Sequence, residues 1–207
     1  EITNGLKATS YRGPDDKGFF SDENLFVGFN RLSIIDLSAK SQPHISENNN
    51  YILVCNGEIY NFKELKEKLR YKYKFKSNVD TEVLLPGYLE WGDDFWKKLN
   101  GMFSIVIYDK LKKKIILVRD HVGIKPLHYL VSKNRFYFSN DYNAFYYQTH
   151  KKLSLNKNSI LSYVSFRYVI GEKTFLNDVF DVMPGEKVEI NRNIKKTTYW
   201  ELNLDQK

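Results

Sequence analysis

The eleven residues Tyr51–Asn61, reading Tyr-Ile-Leu-Val-Cys-Asn-Gly-Glu-Ile-Tyr-Asn, constrain the fold more than any other stretch of the chain. Ile52 to Cys55 form a short uninterrupted apolar run, which suits a strand buried on both faces. Asn56-Gly57 then predicts a tight backbone turn that exposes its amides. Asn61 opens a helix, with Glu64 as the partner of a capping box and Phe62, Leu65 and Leu69 on one face. A side-chain amide and a glycine N–H at a sheet edge are two fixed donors, the equipment that holds a developing oxyanion in acyl transfer. A strand–turn–helix junction without chemistry uses the same residues, and these residues alone do not separate the two.

With 207 residues, 42% of them hydrophobic, the chain is long enough to bury a core as one domain. No apolar run approaches the length of a membrane span, and no signal-peptide pattern opens the sequence. The single cysteine, Cys55, excludes an internal disulfide framework and fits a reducing cytoplasm. Net charge is +7, but only seven of the 32 basic residues are arginine. Scattered lysine is a solvated coat rather than a phosphate clamp. The alternating block Tyr71-Lys72-Tyr73-Lys74-Phe75-Lys76 reads as an amphipathic strand with its rings inward. Rings committed to a core cannot stack on bases, so nucleic acid is not expected as a partner. The four histidines show no metal-ligand spacing.

Taken in order, Ile2 to Thr9 reads as the end of a helix, and Gly13-Pro14 makes Tyr11 to Asp16 a loop. Leu25 to Phe29 reads as a strand. It leads into Arg31-Leu32-Ser33-Ile34-Ile35-Asp36, where a lone arginine among apolar residues could pair with a ligand carboxylate or sit in a surface salt bridge. Asp80 stands at the start of a helix and serves as a plain N-cap; Pro86-Gly87 shortens that helix. Phe103–Tyr108 with Ile115–Val118, and Leu127–Val131 with Arg135–Ser139, read as two hairpins. Asn156 caps a helix whose apolar positions are Ile160, Leu161 and Val164. Met183 to Glu186 turns between two short strands. The sum is a two-layer antiparallel sheet core with helices outside, an α+β domain.

Arg12-Gly13-Pro14-Asp15, Arg31 to Asp36, Asn56-Gly57-Glu58-Ile59-Tyr60-Asn61 and Asp80-Thr81-Glu82 resemble motifs of the glutaminase half of asparagine synthetase (glutamine-hydrolysing). So do Gly101-Met102-Phe103, Arg119 to Leu127 and Met183-Pro184-Gly185, in the family's order and approximate spacing. The resemblance runs from about Thr9 to about Trp200, and the ordered set is far more specific than any single motif. It implies a class II glutamine amidotransferase domain with the N-terminal-nucleophile hydrolase fold, a four-layer αββα sandwich. It also implies a mechanism: an N-terminal cysteine attacks the glutamine side-chain amide, a thioester forms, ammonia leaves and water releases glutamate. By resemblance, Asn56 and Gly57 form the oxyanion hole, Arg31 pairs with the glutamine α-carboxylate, and Asp80 holds the α-ammonium. Leu32, Ser33, Ile34, Ile35 and Glu58 complete the glutamine pocket.

The resemblance is not complete. The family's Cys-Gly-Ile strand is not in the 207 residues, so the domain is expected to be N-terminally incomplete, with the nucleophile supplied upstream. Cys55, having no free α-amine beside it, reads as a small core residue. Tyr11 stands where the family usually has His, and Ser139-Asn140-Asp141 where it has Ser-Glu; both differences are expected to leave the glutamine pocket untouched. No cofactor is expected in this domain, ATP and magnesium belonging to a synthetase domain not contained in the 207 residues. The implied partners are glutamine and a C-terminal synthetase domain or partner subunit, with a homodimer as a further option, in the cytoplasm. A glutamine-binding or docking module that does no chemistry, and an amidotransferase for another acceptor such as a sugar carboxylate, are the alternatives.

Overall fold

The computed structural model describes residues 2–31, 42–132, 135–150 and 152–204. The first half runs α1 (Ile2–Ala8), β1 (Asp16–Ser21), β2 (Phe26–Arg31), β3 (His44–Ile45), β4 (Tyr51–Ile59), α2 (Phe62–Leu69) and α3 (Leu84–Trp91). The second runs β5 (Gly101–Asp109), β6 (Lys114–Arg119), β7 (His128–Ser132), β8 (Arg135–Ser139), α4 (Tyr142–Thr149), α5 (Lys157–Phe166), β9 (Val179–Asp181), β10 (Glu186–Ile190) and β11 (Ile194–Thr198). Three antiparallel sheets result, in the orders β1-β2, β11-β10-β6-β5-β4-β3 and β8-β7-β9.

Alternation along the central strands separates the layers. Leu53, Cys55, Phe103, Ile105 and Ile107 face one side and pack with Leu65, Leu84, Phe95 and Trp96 from the helical segments. Val106 faces the other way, into a cluster with Leu127, Tyr129 and Val182, and Tyr108 joins Leu25 and Val27. Phe138, Val54 and Ile115 touch both of those clusters, so β1-β2 and β8-β7-β9 lie side by side against the six-stranded sheet. Outside them α4 buries Phe145 against Leu130 and Val179, and Leu6 of α1 sits directly over Gly28 of β2. The layers are therefore helix, sheet, sheet, helix, the αββα sandwich that the resemblance implies.

Both hairpins read from the sequence form, and so does the Asn156 cap, which accepts from the Ser159 amide. Several local readings do not hold. Asn56 and Gly57 make no turn: β4 continues through them to Ile59, paired residue for residue with β5. The capping box at Asn61 is absent because its side chain is engaged elsewhere, donating to the Lys98 carbonyl at 2.9 Å and accepting from the Asn100 amide at 3.0 Å. Residues 71–76 form no strand, since no edge lies beside them; Glu90 instead gathers Tyr71 and Lys72, each at 2.6 Å, while Phe75 packs on the helical cluster. β1, where Asp16–Ser21 pairs with β2, was not legible in a segment whose alternation is short and mostly exposed. The Met183–Glu186 turn does not close a hairpin, because β9 belongs to the small sheet and β10 to the large one.

Phe95 anchors the helical layer. It is fully buried, its ring centroid lies 5.8 Å from Trp91 and 5.5 Å from Trp96, and it presses on the backbone of α3 at Gly87. Phe95→Ala is expected to cost about 3–5 kcal/mol through lost transfer energy and a residual cavity. Denaturant unfolding of the two proteins at equal slope measures it.

Candidate functional site

A cavity of about 870 Å³ opens between the two sheets. Its walls include every residue of β2 and of β8, the two strands that face each other across the gap between the smaller sheets. Arg31, Asn56, Gly57, Glu58 and Asp80 all line it, although they come from three separate segments of the chain. Leu32, Ser33, Ile34 and Ile35, also assigned to the pocket from the sequence, lie outside the described residues.

Each residue is placed by a local cause. Arg31 ends β2 opposite Asp16. The loop before β1 clamps that end, for Asp15 donates its amide to the Arg31 carbonyl at 3.0 Å and Gly13 approaches so closely that a Cβ would fall 2.5 Å from the Asn30 carbonyl. Asn56 is opposite Ser104 of β5, and the Ser104 hydroxyl in turn accepts from Asn140 Nδ2 at 2.7 Å. Gly57 has backbone where a side chain would go: a Cβ would lie 2.0 Å from the Met102 carbonyl oxygen.

The edge of β4 is arranged around the Gly57 amide. Gln42 closes both backbone groups of Cys55, accepting from its N–H at 2.6 Å and donating to its carbonyl at 2.9 Å. Two residues beyond Gly57, the Ile59 N–H donates to Asp80 Oδ2 at 2.6 Å. Alternate residues of a strand direct their amides to the same edge, so the Gly57 N–H points the same way as these two. A side-chain amide at Asn56 and a backbone amide at Gly57 thus meet at the cavity wall.

Asp80 does not cap a helix. It opens a 3₁₀ turn, Asp80–Val83, held by the fully buried Val83 and Leu84, and its buried carboxylate ties that turn to β4. Among the further wall residues that sequence reading missed are Gln42 and His44, which are set in a loop and a two-residue strand without periodicity. His44 Nε2 lies 3.0 Å from the Thr81 hydroxyl, next to Asp80. Burial lowers its pKa to about 4, leaving the ring neutral at neutral pH.

Of the positions where the chain departs from the family pattern, two line the cavity and Tyr11 does not. Asn140 and Asp141 are in the cavity wall, Asn140 reaching Ser104 beneath Asn56. Tyr11 and Asp141 are bonded to each other, the phenol donating to the carboxylate across the gap between the β2 and β8 sides. The segment Arg119 to Leu127, by contrast, is largely scaffolding. Arg119 donates to the carbonyls of Lys125, Gly123 and Val182 at 2.9, 3.0 and 2.7 Å, and fully buried Asp120 accepts from the Ile124 and Lys125 amides at 2.9 Å. Cys55 turns its side chain to the helical cluster, where burial raises the thiol pKa. Among the described residues no group of His, Cys, Asp and Glu side chains could hold a metal ion, and no helix is long and apolar enough to cross a membrane.

The αββα sandwich gathers donors, a cation and a carboxylate in a cleft between its sheets, and the class it belongs to is that of glutamine amidotransferase domains. Residues 1–200 match the glutamine amidotransferase domain family, and the chain belongs to that family. It is 38% identical over 203 residues to asparagine synthetase [glutamine-hydrolyzing] 2 of Bacillus subtilis, covering 94% of this chain and 27% of that protein. Against asparagine synthetase [glutamine-hydrolyzing] 1 of the same organism the figures are 37% over 197 residues, 94% and 31%. The chain therefore spans less than a third of the length of these relatives. Among solved structures, glutamine phosphoribosylpyrophosphate amidotransferase from B. subtilis superposes with a TM-score of 0.67 at 18% identity, covering 96% of this chain and 46% of that one. The fold is shared with it; the chain is a glutamine amidotransferase domain homologous to those of asparagine synthetases.

The half-buried, neutral His44 makes stability depend on pH. An unfolded histidine titrates near 6.5, above the value of about 4 in the folded protein. On acidification the unfolded chain takes up its proton first, so this contribution is complete above about pH 6.5 and drains away toward pH 4. The slope can reach about 1.4 kcal/mol per pH unit for one proton. The denaturant midpoint of the wild-type protein is expected to fall across that window, and less steeply in His44→Gln; equal slopes would remove His44 from the account. Burial also lowers the pKa of His121, so the difference between the two proteins isolates the share of His44.

Proposed function

We propose that this domain binds free glutamine in the inter-sheet cavity and releases its side-chain nitrogen as ammonia, as the glutaminase part of an asparagine synthetase-like amidotransferase in the cytoplasm. The observation that carries the reading is the convergence of Arg31, Asn56, Gly57, Glu58 and Asp80 on one cavity. A cation and a carboxylate suit the two charges of a free amino acid and reject glutamine within a peptide, which has neither. A module that only docks has no use for all five.

In this reading Arg31 binds the α-carboxylate and Asp80 the α-ammonium, leaving the side-chain amide beside Asn56 and Gly57. Attack by a thiolate on the amide carbon breaks the C=O π bond and places a negative charge on oxygen. The Asn56 side chain and the Gly57 N–H stabilise that charge. Collapse expels the nitrogen, protonated as ammonia, and leaves a thioester that water cleaves to glutamate and free thiol. The nucleophile is assigned to an N-terminal cysteine whose own α-amine takes the thiol proton and passes it to the departing nitrogen. Among the described residues β2 pairs only with β1 and β8 only with β7, and the gap between them would admit one extended segment bearing it. Cys55 is not that nucleophile, since its thiol is buried in the helical cluster. ATP and magnesium are assigned to the synthetase portion of the whole protein, and the acceptor to a carboxylate such as that of aspartate.

The test is ammonia release from glutamine by the natively expressed polypeptide containing these residues. Asn56→Ala is expected to lower kcat by about 10²–10³, the effect of losing one oxyanion donor. Asp80→Asn keeps an acceptor for the Ile59 amide while removing the charge, and is expected to raise KM for glutamine. Cys55→Ser should leave turnover unchanged. Abolition of ammonia release by Cys55→Ser, or identical KM effects from the other two substitutions, would overturn the assignment of roles.

A further inference from the structure

Of the three apolar positions read on α5, Ile160 is half-buried while Leu161 and Val164 are exposed. The helix is closed at its start by Asn156 and at its end by Arg167 in the left-handed conformation, yet Ser159 is its only buried residue. Leu161 and Val164, two of the apolar positions read from the sequence, are each 65% exposed. Two and five residues on from Ser159, they lie on the opposite side of the helix as i, i+3 neighbours. The chain after α5 folds back on it: the Ile170 amide donates to the Ser162 hydroxyl at 3.4 Å, and that hydroxyl donates to the Tyr168 carbonyl at 3.3 Å. Phe166 and Tyr168 lie with ring centroids 6.3 Å apart. Phe166, Tyr168 and Ile170 are all more than half exposed. One short helix and its return loop thus leave five apolar side chains exposed, Leu161 and Val164 on the side away from Ser159, and Phe166, seven residues on from Ser159, on the other with Tyr168 beside it.

We propose that this exposed apolar surface is where the synthetase portion docks, meaning the part of the asparagine synthetase relatives that lies outside the region matched here. The proposal rests on the reading of this chain as the glutaminase part of such an enzyme. The matched region is 27% and 31% of the two Bacillus relatives, so most of each polypeptide is available as the occupant. The surface also borders the last strand. Lys196 of β11 reaches across to Glu172, two residues after Ile170, and the Asp181 amide donates to the Glu172 carbonyl at 2.7 Å. Beyond β11 the chain continues through Leu202 and Leu204, again apolar and exposed. A domain that uses ammonia must hold a fixed orientation to the domain that releases it, and exposed apolar side chains on a capped helix supply such a seat.

Hydrogen–deuterium exchange of residues 157–170 decides the matter. It is measured in the isolated 207-residue chain and in the natively expressed polypeptide that contains it, whose intact mass is recorded first. The expected result is a native polypeptide larger than the chain, with amides of this segment exchanging at least about tenfold more slowly in it than in the isolated chain. Leu161→Ser combined with Val164→Ser should remove that protection and leave the melting temperature of the isolated chain unchanged. A native mass equal to that of the chain, or equal exchange in the two proteins, would overturn the proposal. So would protection that appears in the isolated chain and grows with its concentration, for that would identify a second copy as the occupant. Ammonia release measured on the same native sample separates the two readings: glutaminase activity without protection sinks only the docking surface, and protection without activity sinks only the glutaminase.

Discussion

The site depends on how closely β4 and β5 approach at their ends. Gly57 and Gly101 form a reciprocal pair there: a Cβ on the first would meet the Met102 carbonyl at 2.0 Å, and one on the second would meet the Glu58 carbonyl at 2.2 Å. Side chains at either position would force the strands apart and break the pairing that runs from Tyr51–Asp109 to Ile59–Gly101. With both absent, β4 stays in the sheet to its last residue and carries Asn56, Gly57 and Glu58 to the cavity wall on a rigid strand. Donors fixed in this way need little reorganisation when charge develops beside them.

Around that strand several polar side chains are bonded to backbone groups. Gln42 and Asp80 hold the amides on either side of Gly57. Asn61 ties the end of β4 to the start of β5, and Arg119 with Asp120 fixes the loop that carries Lys125 to the cavity. Asp80 therefore has two duties, a structural bond to Ile59 and the charge proposed to face the ligand. Buried backbone groups must be paired, and one carboxylate can pair an amide while its negative charge remains available.

The departures from the family pattern acquire a physical meaning here. Tyr11 and Asp141, far apart in the sequence, are hydrogen-bonded to each other in the structure. They join the β2 side of the cavity to the start of α4 on the β8 side, where Asp141 also accepts from the Asn143 amide as the N-cap. What they alter is the rim of the cavity; the donors at Asn56 and Gly57 are on its floor strand.

Much of this was legible in the residues themselves. The apolar runs of β5, β6 and β7 and the cap at Asn156 declared their elements through periodicity and local side-chain chemistry. The ordered motifs pointed to Arg31, Asn56, Gly57, Glu58 and Asp80 as a set. Other features depended on partners distant in the chain, which local patterns do not encode. Asn56-Gly57 has the composition of a turn, yet β5 extends it as strand because the glycine admits the Met102 carbonyl. Residues 71–76 have the alternation of a strand but no neighbouring edge, and their side chains go to Glu90 instead. Leu161 and Val164 have the spacing of a core face on a helix that the fold leaves uncovered. The sequence by itself determined the candidate set, through its ordered motifs, and those elements whose periodicity and caps are local. Only the tertiary structure decided that Gln42 and His44 line the cavity beside the set and that Leu161 and Val164 of α5 lie in solvent. Each of those outcomes depends on which distant backbone or side chain comes to lie beside the residue once the layers are packed.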